Sequence, residues 1–374
     1  MRLIATMGAN QLNHKHKYIV NKKEYLSEVS FMALAEAYNI EKIIVIGTKK
    51  SQESIQSILE QNSNIDMVII ESDNVEDVFK ESLEHIGKDT ILDLTQGFRH
   101  YPMLTLLASV FLQNSASKNI KNIFYAQIED ESCLPYKESC CYRFTSLIKY
   151  LDIANMSRII NTFTKTLLTL DYEVNNKEFN QIKIGLNDVT KELFSNNFHS
   201  SKEKAKEIEK IVNKILEEKS LEIIEEHLFH LKNELQKIQN LIRIKDSKTL
   251  LNVSKYFRKK GILLHSITLL YESMVAFLDE KINNNQCNTY EDKHGNRKEA
   301  DTYNRRNCLK LKMGNCNYYL YRKNIPKCQE YSNLLKKIDK LRNTSAHAHT
   351  TGTYQEDLKD EIDKAIKFLM PIIG

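Results

Sequence analysis

Five short apolar runs, at positions 3–7, 42–48, 66–70, 90–95 and 122–127, punctuate the first 130 residues. Each has strand length and polar or turn-forming flanks, so each predicts a β-strand. Between them, positions 25–38, 52–59, 75–86 and 101–112 carry apolar residues at helical spacing. Strands alternating with helices over short connections predict a mostly parallel sheet covered on both faces. Ligands in such sheets bind beyond the carboxyl ends of the strands.

The pattern then changes. Between Pro135 and Pro326 there is no proline, and the only glycines are Gly185, Gly261, Gly295 and Gly314. A stretch so poor in breakers, with Lys/Glu-rich text at 201–218, predicts a set of helices. Positions 257–282 place Leu263, Leu264, Ile267, Leu270, Met274, Phe277 and Leu278 on one stripe, a broad core face. Positions 283–328 interrupt it with Gly295, Gly314 and many Asn residues, as an insertion with little regular structure would. Helical spacing resumes at 331–341, with Leu334, Leu335, Ile338 and Leu341 inward. Then Thr353-Tyr354-Gln355-Glu356 fits a capping box ahead of Leu358, Ile362, Ile366 and Leu369. The fold class expected is α/β followed by all-α, over residues 1–145, a helical connector 146–250, and residues 251–374 with the 283–328 insertion. No internal repeat is visible.

Composition adds limits. At 374 residues the chain has room for two cores, and 41% apolar with 28% charged residues is near the globular average. No apolar run has the length of a signal-peptide core or a membrane span, so the expectation is a cytoplasmic protein without a membrane partner. The seven cysteines, Cys133, Cys140, Cys141, Cys287, Cys308, Cys316 and Cys328, are an odd number without an export signal, which argues against a disulfide scaffold. Cys287, Cys308, Cys316, Cys328 and His294 contain no Cys-x-x-Cys spacing, so free thiols are favoured over a zinc site and no metal is expected.

Net charge is only +5, too little to announce a nucleic-acid binder by itself. The charge is uneven, however. Residues 293–342 hold 14 Lys/Arg against 4 Asp/Glu, a local surplus of ten, interleaved with Tyr303, Tyr318, Tyr319, Tyr321 and Tyr331. Cations for phosphates beside rings for bases suit single-stranded RNA, although a solvated charged loop has the same composition.

That segment leads into Arg342-Asn343-Thr344-Ser345-Ala346-His347. Arginine is a permanent forked cation matched to phosphate, and histidine exchanges a proton near neutral pH. Together they serve RNA cleavage without a metal: imidazole moves protons at the ribose 2′-hydroxyl or the leaving 5′-oxygen, and guanidinium offsets charge at phosphorus. In an unbroken helix the two positions lie about 140° apart, so a helix end or bend at Asn343-Thr344-Ser345 would be needed to aim both at one cleft. An isolated Arg-x-x-x-x-His is common by chance, with Arg342 capping a helix and His347 on the surface. His349 is a secondary candidate; His265 and Glu272 read as structural.

A second constellation lies at the strand ends. Asp93-Leu94-Thr95-Gln96-Gly97-Phe98-Arg99 starts in a strand and ends at a helix start, where backbone N–H groups favour an anion. Gly8 and Asn10 follow the first strand and Thr48 the second, converging on the same edge. The glycines form neither the spaced triplet of a dinucleotide site nor a phosphate loop, and simple tight turns remain an alternative.

Read in order, Met7-Gly8-Ala9-Asn10, Tyr18, the helix at 31–38, Asp93-x-Thr95-x-Gly97-x-Arg99 and the terminal Arg342-Asn343 to His347 resemble the CRISPR-associated CARF/HEPN ribonucleases of type III systems. The resemblance spans nearly the whole chain. It implies a Rossmann-like parallel-sheet CARF domain followed by a helical HEPN domain. It also implies a homodimer that binds cyclic oligoadenylate (cyclic tetra- or hexa-adenylate) as activator, at Gly8, Asn10, Thr48, Thr95, Gln96, Gly97 and Arg99. Single-stranded RNA would be cut without a metal cofactor by Arg342, Asn343 and His347 paired across the dimer axis, with no stable DNA binding. The 283–328 insertion departs from the family in length. Two alternatives stay open: a non-enzymatic cyclic-nucleotide sensor whose helical half binds RNA or a protein partner, and a first domain that also degrades its activator.

Overall fold

The structure, a computed structural model, describes residues 1–9, 14–71, 75–87, 89–115, 120–135, 138–218, 222–242, 246–282, 289–291, 297–299, 325–347 and 352–374. The chain divides into two units, one of residues 1–159 and 170–181, the other of residues 160–169 and 182–374. Among the described residues no helix is long and apolar enough to cross a membrane.

The first unit is built on strands β1 (Arg2–Met7), β2 (His16–Val20), β3 (Lys23–Ser27), β4 (Lys42–Gly47), β5 (Ile65–Ile69), β6 (Thr90–Asp93), β7 (Ile120–Ile128) and β8 (Cys141–Ser146), lying side by side as β3-β2-β8-β7-β6-β1-β4-β5. The five strands legible in the sequence are β1, β4, β5, β6 and β7, and neighbours among them pair in parallel. Taken in chain order they occupy the doubly wound sequence 3-2-1-4-5. The chain builds outward from β1 through β4 to β5, then returns to β6 on the other side of β1. The gap between β1 and β6 is therefore the topological switch point.

Their continuous apolar text has a physical reason. Leu3, Ala5 and Met7 of β1 pack into one buried cluster with Phe31 and Leu34, while Ile4 joins the opposite cluster with Val78, Tyr101 and Ala108. With alternate residues facing opposite layers, both faces must be apolar. Helices α1 (Ser30–Tyr38), α2 (Lys49–Ser54), α3 (Gln56–Gln61), α4 (Val75–His85) and α5 (His100–Ser115) connect the strands.

The structure corrects several expectations here. The helix expected over 25–38 begins at Ser30, because Tyr25 belongs to β3. Strands β2, β3 and β8 extend the sheet beyond β7; β2 alternates buried His16, Tyr18 and Val20 with half-exposed residues, a one-sided pattern too short to stand out. Its hairpin turn, Asn21-Lys22, is left-handed at both positions (φ 49° and 68°), the geometry matched to strand twist. The helix at 52–59 is two, with Ile55 outside helical geometry (φ −112°, ψ 14°). Among the described residues a disulfide, Cys133–Cys140, is present where no disulfide scaffold was expected.

Among its described residues the second unit is helical apart from one short strand pair. Along the chain run α6 (Ile148–Thr166) and α7 (Lys177–Phe194), each shared with the first unit, then α8 (Phe198–Glu218), α9 (Glu225–Leu241), α10 (Ser247–Lys259), α11 (Leu263–Ile282), α12 (Cys328–His347) and α13 (Gly352–Ile373). The stretch 257–282, read as one helix, is divided by Gly261 at φ +76°, and Leu264, assigned to the core stripe, is exposed. Ile267, Leu270, Met274 and Phe277 of α11 pack with Leu335 and Ile338 of α12 and with Leu358, Ile362, Ile366 and Leu369 of α13. Within 283–328 a short antiparallel pair, β9 (Thr289–Glu291) and β10 (Arg297–Glu299), is more structure than expected. Cys287, Cys308, Cys316 and His294 lie outside the described residues, as does Asn10.

Candidate functional site

The carboxyl edge of the sheet is organised by a carboxyl group. Asp93, the last residue of β6, is 1% exposed; its two oxygens accept from the Ser30 hydroxyl at 2.6 Å and the Thr95 backbone N–H at 3.0 Å. One buried side chain thus fixes the start of α1 and the loop leaving β6. Desolvation raises its pKa above the ordinary carboxylate range, against the pull of those hydrogen bonds. The same edge holds Tyr18, buried and stacked on Tyr142, its phenol pushed upward by burial. His16 beside them is held below its usual range by burial and the nearby His14, and its Nδ1 accepts the Cys140 backbone N–H.

The loop after β6 crosses the end of β1. The Thr6 hydroxyl donates to the Gln96 carbonyl, and Gly97, at φ +121°, lies so close that an added Cβ would stand 2.9 Å from the Thr6 hydroxyl. Only glycine fits that backbone and that gap. Gly8 in turn faces Gly97: a Cβ there would meet the Gly97 carbonyl carbon at 3.4 Å. Two backbones therefore pass each other, without side chains between them, at the switch point.

The sequence-derived ligand residues divide in role. Thr95 uses its hydroxyl to accept the Ala126 backbone N–H at 2.9 Å, continuing the β6–β7 ladder one step past the strand. Thr48 is buried, and with Ser51 it forms a reciprocal cap on α2; the Ser51 hydroxyl also donates to the Met7 carbonyl at 3.0 Å. Both hydroxyls thus hold the edge in shape. Gln96 and Arg99 differ. The Gln96 side-chain oxygen is buried without a hydrogen-bond partner among the described residues, and Arg99 is exposed at the approach to α5. An unmatched buried acceptor costs about 1–3 kcal/mol, so the Gln96 oxygen can take a hydrogen-bond donor, and the exposed Arg99 guanidinium can pair with an anion.

In the second unit, Arg342 is gripped on three sides. Its guanidinium carbon lies 4.2 Å from the centre of the buried Tyr271 ring, Nη2 is 3.2 Å from Asp339, and Nη2 and Nε donate to the Asn343 side-chain oxygen at 3.0 and 3.3 Å. Asn343, expected beside the chemistry, orients the arginine. Tyr271 and Asp339 were missed; Asp339, one turn before Arg342, was open to reading as an i,i+3 partner, whereas Tyr271 is 71 positions away in sequence.

The helix end or bend between Arg342 and His347 is absent. α12 runs through His347, because Ser345 turns its hydroxyl back to the Leu341 carbonyl at 2.7 Å instead of capping. Positions 342 and 347 therefore stand about 140° apart around one helix. The side chain of His347 lies outside the described residues. No cluster of three or more His, Cys, Asp or Glu suited to a metal occurs among the described residues.

No family model matches the chain, and no curated protein does. Among solved structures, Enterococcus italicus Csm6 bound to cyclic hexa-2′-fluoro-hexa-dAMP is similar, at 10% identity and a TM-score of 0.37, over 99% of this chain and 94% of that one.

Proposed function

We propose that this chain is a cyclic-oligoadenylate-activated, metal-independent endoribonuclease of single-stranded RNA, acting as a cytoplasmic homodimer in type III CRISPR antiviral defence. Its sequence resemblance to CARF/HEPN ribonucleases motivates the reading. The observation that carries it is the switch point, where the Gly8 and Gly97 backbones meet beside the unmatched Gln96 oxygen and the exposed Arg99.

In this reading a ring of adenylates lies across the carboxyl edges of two subunits. Arg99 pairs with phosphate, Gln96 accepts from an adenine amine, and Gly8 and Gly97 let the ring approach the backbone; Asn10 is a further proposed contact. Thr48 and Thr95 keep the edge in register. A repeating ring matches a two-fold axis. An apolar stripe on α5, Met103, Leu107 and Phe111, exposed by 65%, 55% and 53%, starts just beyond Arg99 and suits a contact between copies.

The helical half supplies the chemistry. With positions 342 and 347 about 140° apart on one helix, the productive pairing is between Arg342 of one copy and His347 of the other. The ribose 2′-oxygen attacks phosphorus, the bond to the 5′-oxygen breaks, and His347 transfers the proton that the leaving oxygen takes up. Arg342, steadied by Tyr271, Asp339 and Asn343, offsets the charge on the phosphorane. The products are a 2′,3′-cyclic phosphate and a 5′-hydroxyl. Ligand binding shifts the dimer toward the competent arrangement by its differential affinity for the two states.

The test is cleavage of labelled single-stranded RNA in EDTA, with and without cyclic tetra- or hexa-adenylate. Tight RNA binding without cleavage, indifferent to His347→Ala, would instead identify a non-enzymatic sensor.

A further inference from the structure

The helical unit carries a second cationic feature. A cavity of about 700 Å³ opens between α9 and α10, and none of its described lining residues belongs to α11, α12 or α13, which carry Tyr271, Arg342 and Asn343. Four lysines face it, Lys237 from α9 and Lys248, Lys255 and Lys259 from α10, with the amides Asn240 and Asn252 between them. Along α10 the positions 248, 252, 255 and 259 follow steps of four, three and four, so they form one stripe, about 16 Å long at 1.5 Å per residue.

The charges in this cavity are not equivalent. Lys237 is bound to buried Glu234 at 3.1 Å, and Lys248 donates to the Gly374 carbonyl at 2.7 Å. Asp246, the one carboxylate among the described lining residues, is used as the cap of α10, accepting the Thr249 N–H at 2.7 Å. Lys255 and Lys259 form no ion pair among the described residues, and they sit one helical turn apart, a step close to that between successive phosphates of an extended strand. Tyr256 between them is buried, its hydroxyl tied to Glu234 at 2.7 Å, so its ring forms the floor and is withheld from base stacking.

A row of cations and amides along a helix, without an offered ring, reads the backbone of a strand and ignores its bases. A compact anion would need those donors converging on one point. We propose that this groove is a docking track for the phosphate backbone of single-stranded RNA, separate from the Arg342 site. The choice of RNA rests on the ribonuclease reading; the match to a row of phosphates does not. The track would hold a long substrate on the enzyme between cuts and suits cleavage with little sequence preference.

The experiment titrates the full chain carrying His347→Ala, which leaves RNA intact, against fluorescein-labelled single-stranded RNA at several salt concentrations. Adding Lys255→Gln and Lys259→Gln should weaken binding at least about threefold. It should also flatten the slope of log affinity against log salt by roughly 1.4, two phosphate contacts at about 0.7 each. Glutamine removes the charge at a helix propensity close to that of lysine. The control, Lys210→Gln with Lys214→Gln on the exposed face of α8, carries the same change in charge and should leave the slope unmoved. Equal effects from both pairs, or an unchanged slope, would overturn the track, as would competition by adenosine monophosphate as strong as by RNA at equal phosphate. The two readings fail separately, because cleavage persisting in His347→Ala contradicts the catalytic assignment and leaves the slope comparison, read on a non-cleavable 2′-O-methyl strand, still decisive.

Discussion

Gly97 is the residue at which backbone and proposed ligand surface are least separable. Its φ of +121° and the Thr6 hydroxyl 2.9 Å from a built Cβ leave no room for a side chain. Gly97→Ala should lower stability by about 1–3 kcal/mol, a loss a folded protein of ordinary stability survives. Urea unfolding measures the first effect, and calorimetry with cyclic oligoadenylate should show binding weakened beyond it. Asp93 makes a different prediction. Its carboxyl is raised by burial, so the folded chain keeps the proton to higher pH than the unfolded chain does. Its contribution to stability is full below the unfolded value of about 3.9 and declines as pH rises through the folded one. The stability of the native chain relative to Asp93→Asn should therefore be greatest in acid and shrink toward neutral pH, and parallel pH profiles would contradict this. At Arg342, replacing the Tyr271 platform by leucine removes about 0.5–2 kcal/mol of cation–π contact, so kcat should fall roughly two- to thirtyfold with little change in KM. Tyr271→Phe, which keeps the ring, should retain most of the rate.

Elements differ in how openly the sequence declares them. β1, β4, β5, β6 and β7 were legible because burial on both faces demands unbroken apolar runs. β2, β3 and β8 were not, since a one-sided strand such as Lys23-Glu24-Tyr25-Leu26-Ser27 is indistinguishable from a polar helix turn until its neighbour is known. The site follows the same division. The loop from Asp93 to Arg99 and its glycines could be read locally. The partners that position it, Ser30 for Asp93 and Thr6 for Gly97, lie 63 and 91 positions away, and no local pattern reports them. Likewise capping-type residues at 343–345 suggested a helix end, whereas Ser345 bonded back to Leu341 and α12 continued. At this scale α5 carries the prediction: Leu107→Glu, in the middle of its exposed stripe, should shift the chain from dimer to monomer in sedimentation velocity and abolish activation while far-UV circular dichroism is unchanged.

Across the whole molecule, the modest charge of +5 conceals a division of labour. The surplus of ten in residues 293–342 leads up to Arg342 in sequence, and a lysine row on α10 lines a groove of the helical unit. The parallel-sheet unit places its distinctive residues at one switch point, and the helical unit holds its arginine ready on an aromatic platform. In the proposed function, a cyclic oligoadenylate at the first controls phosphodiester cleavage at the second. That claim is tested most directly by incubating labelled single-stranded RNA with the protein in EDTA, with and without cyclic tetra- and hexa-adenylate, alongside His347→Ala. The expected result is cleavage to 2′,3′-cyclic phosphate ends that requires one of the rings and is lost in His347→Ala. Cleavage abolished by EDTA, indifferent to both rings, or undiminished in His347→Ala would contradict it.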